Sequence, residues 1–214
     1  MKERQMISNK CAISSNTFRS IYLIVVIGGF KNGVFGLKRL QKITYLSEVD
    51  SPIKPYTFKR HFYGQYSEEL ANTNNQLIQL NYVSHNLLLG SQCSVYSISK
   101  TIDISYYRDI LKKIDPELVE RISETIDEFG YLSEEKLIEL CYSLPSFKGK
   151  NSGDVVLESV IPDKVEITGL NLQQCEELEL AFSAPFINSM LQIVEGMENT
   201  TIDFNKVNKV AIRI

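Results

Sequence analysis

Histidine is scarce in this chain, and cysteine is scattered. The two histidines, His61 and His85, have no Ser, Cys or Asp at a local spacing that would suggest a nucleophile and its base. The four cysteines, Cys11, Cys93, Cys141 and Cys175, include no C-x-x-C pair, so metal-ligand spacing is missing and no metal residue is proposed. Glycines cluster at Gly28-Gly29 and at Gly33 and Gly36, but no Lys-Ser/Thr pair follows them, which removes the phosphate-loop signature. The longest apolar run, Ile21 to Phe30, falls short of the roughly 20 residues a membrane span needs. Nor does the first stretch read as a secretory leader, because it stays polar. These absences point to a cytoplasmic protein with no cofactor, and to a non-enzyme. The net charge of −3 gives no global nucleic-acid signal either.

What the chain does have is local charge and rings. Residues 1 to 42 hold eight Lys and Arg against Glu3 alone, a balance of +7. Residues 115 to 139 hold nine acids against Arg121 and Lys136, a balance of −7. One reading is a basic face and an acidic face; the other is two ordinary solvated helix surfaces. Eleven Tyr and ten Phe give ring content enough for interface anchors or for a small core. Five of them, Tyr56, Phe58, Phe62, Tyr63 and Tyr66, fall within one short segment.

The helix expected from Leu37 to about Glu48 organises the chain. Leu37, Leu40, Ile43, Tyr45 and Leu46 form its apolar stripe, with Lys38, Arg39 and Lys42 expected on the solvent side. Upstream, residues 1 to 17 read as polar, Ser/Asn-rich and frayed at their start, and 17 to 28 as a buried helix ended by Gly28-Gly29. Tyr56 to Tyr63 alternates as a strand, and Gly64-Gln65-Tyr66 reads as a turn. Ser67 caps a helix with Glu68 and Glu69 in its first turn. Tyr82–Ser84 and Ser94–Ile98 make a hairpin, here a wing. Asp115-Pro116 opens a helix that Gly130 stops, and Ser133 caps the next, which ends at Pro145. The loop 146–154 is the best internal boundary. Beyond it come an apolar segment at 155–161, a helix at 172–197 with a break at Ala184-Pro185, and a terminal strand near 210–214. The expected architecture is α+β: a winged-helix-like domain over 17–145 wrapped by additional helices, then a C-terminal helical and strand extension over 155–214 that packs on the core or dimerises.

Two motifs carry a family resemblance. Leu40-Gln41-Lys42-x-x-Tyr45-Leu46 matches an LQK-x-x-YL helix, and Tyr63-Gly64-Gln65-Tyr66-Ser67-x-x-Leu70 matches a YGPYS-x-x-L turn. A weaker echo lies in Leu132-Ser133 to Leu140 and Leu144-Pro145-x-Phe147-Lys148. Over residues 18 to 150 the chain resembles the YwgA-like and Panacea (SocA-like antitoxin) group, with Gln65 standing where the group has proline. The resemblance implies a winged-helix-related core and, in some members, antitoxin or proteolytic-adaptor roles.

Two functions follow as expectations. The first is a cytoplasmic, dimeric DNA-binding regulator of winged-helix type whose phosphate contacts come from Lys31, Lys38, Arg39, Lys42, Lys59 and Arg60. Against it, the helix at 67–80 has two acids and no Lys or Arg, and the wing is almost uncharged. The second is an antitoxin-like or adaptor protein that binds a toxin or other protein partner through Tyr63, Gln65 and Tyr66 without touching double-stranded DNA.

Overall fold

The computed structural model describes residues 10–88 and 93–195. At its centre lies α1 (Ser15–Gly28), in which Phe18 and Ile21–Ile27 are all buried. A β-branched run of this kind suits a strand as well as a helix. Helix wins because Ser14 caps it, its hydroxyl accepting from Thr17 N at 3.2 Å, and because neighbours close around the whole cylinder.

Gly36, at φ 84°, turns the chain into α2 (Leu37–Glu48), and Asp50 and Pro52 follow its end. The helix has the expected bounds but not the expected solvent face. Gln41, Lys42, Thr44, Ser47 and Glu48 are buried along with Leu40, Ile43 and Tyr45. The cover comes from a hairpin, β3 (Phe58–His61) with β4 (Gly64–Tyr66), and from α6 (Glu134–Ser143). The expected turn at Gly64-Gln65-Tyr66 is therefore the second strand of that hairpin, and Phe62-Tyr63 makes the turn.

Next come α3 (Glu68–Gln79), capped by Ser67, then β5 (Val83–Leu87) and β6 (Ser94–Ile98). Those two strands pair in register from Val83↔Ile98 to Leu87↔Ser94, as the hairpin reading requires, and β5 runs three residues past the expected end at Ser84. The short β2 (Val34–Phe35) joins the other edge of β6, giving the order β2-β6-β5. Helices α4 (Ile104–Ile114) and α5 (Pro116–Phe129) pack on one another and on α1. Asp115 caps α5 through Glu117 N with Pro116 in the first turn, as its sequence announces.

Two late segments return to early ones. β7 (Val155–Leu157) pairs with β3, so the second sheet runs β4-β3-β7. β8 (Lys164–Thr168) pairs with β1 (Lys10–Ser14), a strand inside the polar N-terminal region for which no strand is expected. Every pairing is antiparallel. The last element, α7 (Leu172–Glu195), runs on through Pro185 without the expected break. A disulfide ties it to β1 through Cys11 and Cys175, whose Cα atoms are 6.3 Å apart, a pairing that the scattered cysteine spacing did not foretell. The expected terminal strand near 210–214 lies outside the described residues. The chain is thus a mixed α+β protein with several helices and three small antiparallel sheets among the described residues.

Candidate functional site

The β3–β4 hairpin is the projecting feature. His61 pairs with Gly64, which leaves Phe62 and Tyr63 as a two-residue connection. Gly64 sits at φ 102°, a conformation that favours glycine, and a Cβ there would lie 3.5 Å from Lys42 Nζ. Phe62 is 83% exposed and Tyr63 60%, so two adjacent rings face water where a hairpin has no fold to stabilise with them. The His61 ring lies 5.7 Å from Phe62 and 5.6 Å from Tyr66, extending the aromatic surface along the strands.

From beneath, the hairpin tip is held by hydrogen bonds. Lys42 donates from Nζ to Tyr63 O at 2.8 Å, and Tyr142 donates from its hydroxyl to Phe62 O at 3.3 Å. From the adjacent position on α2, Gln41 clamps Ser67: its Nε2 donates to Ser67 O at 2.9 Å and its Oε1 accepts from Ser67 N at 2.8 Å. The helix motif and the turn motif are thus two halves of one construction. The exposed rings rest on a fixed platform, which reduces the ordering cost of a contact made through them.

A cleft of about 160 Å³ opens between α2 and β4, under Tyr63. Gln41, Lys42 and Gln65 line it, with Lys38, His61 and Tyr66 at its sides. Lys42 is only 1% exposed, and burial lowers the pKa of its ammonium. Gln65, 3% exposed, donates from Nε2 to Cys141 Sγ at 3.1 Å while its Oε1 has no partner. Burial raises the Cys141 thiol, so that neighbour is neutral. A second cleft of about 400 Å³ lies on the other side of the hairpin, between Lys59, Arg60, Glu68, Glu69 and the turn at Ser152-Gly153.

The six candidate phosphate contacts are spread over this geometry and partly engaged. Lys42 faces inward, because the hairpin and α6 cover the side of α2 that periodicity assigns to solvent. Arg39 donates to Gly130 O at 2.8 Å. Lys38 is exposed, 3.3 Å from Glu134 and 4.3 Å from the Tyr63 ring centroid. Arg60 donates to Lys150 O and lies 5.9 Å and 5.7 Å from the Tyr142 and Phe147 ring centroids. Lys31 and Lys59 are exposed, and Lys31 lines neither cleft. Of the candidate protein contacts, Tyr63 and Tyr66 are exposed on the hairpin, whereas Gln65 is buried beneath it. Phe62 is absent from both sets, yet it is the most exposed large apolar side chain among the described residues. A two-residue turn inside the alternating run would have singled it out.

Elsewhere, His85 stacks on Tyr96 at 4.9 Å between centroids. Among the described residues no group of three His, Cys, Asp or Glu side chains is placed to hold a metal ion, and no helix is long and apolar enough to cross a membrane. The fold and the hairpin define a mixed α+β protein with a braced aromatic projection. Comparison with known families, curated proteins and solved structures finds no match for this chain.

Proposed function

We propose that this chain is an adaptor-type or antitoxin-like protein that binds another protein through the β3–β4 hairpin. The observation that carries the reading is the pair Phe62 and Tyr63, exposed side by side on a tip that Lys42 and Tyr142 hold from below. Exposed rings on a pre-ordered support are what an interface centre needs, since most binding energy comes from a few anchors. The order α1, α2, hairpin, α3, then β5 and β6 supports a winged-helix-related core beneath it.

The rival is a dimeric DNA-binding regulator, and the same geometry favours it less. It asks Lys42 to meet backbone phosphate, and that side chain is buried beneath the hairpin where only a narrow cleft reaches it, while Arg39 donates to Gly130 O. The acids Glu68 and Glu69 open α3, the helix that would enter the groove.

Affinity capture from native cells, with and without nuclease, tests the choice. One stoichiometric protein partner is expected after nuclease treatment, retained across a rise in salt and lost on the double substitution Phe62→Ala and Tyr63→Ala. Duplex binding that falls steeply with salt and survives that substitution would overturn the reading.

A further inference from the structure

We infer that the cleft under Tyr63 receives a carboxylate side chain, Asp or Glu, from an acidic segment of the bound protein. The inference rests on the protein-binding reading and says what the hairpin recognises.

The first observation is a buried cation without an anion. Lys42 Nζ can donate three hydrogen bonds, and one is spent on Tyr63 O at 2.8 Å. Among the described residues no carboxylate lies within 4 Å of it. The carboxylate whose charge acts on it from a distance, Glu134, is exposed and 3.3 Å from Lys38 instead. A charge taken out of water and left unpaired is costly, and proteins keep such groups paired or put them to use. Here the burden falls on a side chain that lines an open cleft.

The second observation is the sign and size of that cleft. Its lining includes the cations Lys38 and Lys42 and no Asp or Glu, and its exposed wall is otherwise almost wholly apolar. About 160 Å³ admits one side chain rather than a nucleotide. The third is Gln65. The residue is buried, only 3% exposed, lines the same cleft and has a side-chain oxygen with no partner. Exchange of its amide ends would present an N–H to the incoming carboxylate while an oxygen accepts from the Cys141 thiol. A carboxylate would accept from Lys42 and from that amide, and the Tyr63 ring would cover its stem. The anchoring rings and the buried cation then serve one peptide: apolar residues on Phe62 and Tyr63, an acid beneath them.

NMR titration of the full chain tests this, reading the Lys42 Cε and Gln65 side-chain amide resonances. The probes are N-acetyl-glutamate amide, its neutral isostere N-acetyl-glutamine amide, and a 12-base-pair DNA duplex. The glutamate probe is expected to shift both resonances saturably, at least tenfold more tightly than the glutamine probe. Lys42→Met, which keeps the volume and removes the charge, is expected to abolish the response. The two-probe comparison needs no variant, so it stands even if that substitution disturbs the hairpin. Equal responses to both amides, or a response to the duplex alone, would overturn the inference. If Phe62→Ala with Tyr63→Ala abolishes partner capture but the Lys42 resonance ignores glutamate, the protein-binding reading stands and the carboxylate site falls. A glutamate response without any partner captured at the hairpin overturns the assignment of the carboxylate to a protein.

Discussion

Glu48 shows most plainly what a single residue does in this fold. It is fully buried, its Oε2 accepts from Tyr56 N at 3.2 Å, and its Oε1 has no partner. Burial raises its pKa well above the usual carboxylate range, more than the Tyr56 amide and Arg19 lower it. A carboxyl with a raised folded pKa stabilises the fold below its unfolded value of about 4.3, and that contribution is lost as pH rises through the folded value. Glu48→Gln should therefore unfold at higher denaturant than the parent at pH 8 and lose most of that advantage near pH 4. Urea titrations at the two pH values measure it. Gly64 makes a second case, because Gly64→Ala forces a side chain into φ 102° and toward Lys42 Nζ. A loss of about 1–3 kcal/mol is expected, read as a lower denaturation midpoint with an unchanged slope.

At the scale of elements, the cap on α3 is worth a direct test. Ser67 Oγ accepts from Leu70 N at 3.2 Å, and Ser67→Ala should cost about 1 kcal/mol, visible as a lower thermal midpoint. This cap was legible in the sequence, as were Asp115-Pro116 at the start of α5 and the β5–β6 hairpin, because each signal lies within a few residues of its effect. The inward face of α2 was not. Lys38, Arg39 and Lys42 have the spacing of a solvated stripe, and only the later arrival of β4 and α6 buries Lys42. Likewise β1 has no strong strand pattern of its own; its partner lies more than a hundred residues on. The LQK-x-x-YL and turn motifs were visible separately, but their joint, Gln41 against Ser67, is a contact no periodicity contains.

For the whole molecule, the link between its first and last described segments dominates. Cys11 and Cys175 are separated by 164 residues, so their bond restricts the unfolded chain strongly. Reduction, or Cys11→Ser with Cys175→Ser, should lower stability by about 2–5 kcal/mol, read as a drop in the denaturation midpoint under reducing against oxidising conditions. The hairpin rings sit on a different sheet from β1 and β8, so partner capture should survive that change wherever the protein stays folded.

The same closure has a consequence during synthesis on the ribosome. The start of α1 is finished by groups from the far end of the chain: Glu179 accepts from the backbone N–H and hydroxyl of Ser14 and from the hydroxyl of Thr17. β1 cannot pair until residues 164–168 have emerged, and α7 cannot cover it until later still. The nascent chain must therefore carry the apolar cylinder of α1 incompletely sheltered through most of its own translation. The β1–β8 ladder and the Glu179 contacts are thus added to α1 only after α2 to α5 have enclosed much of it.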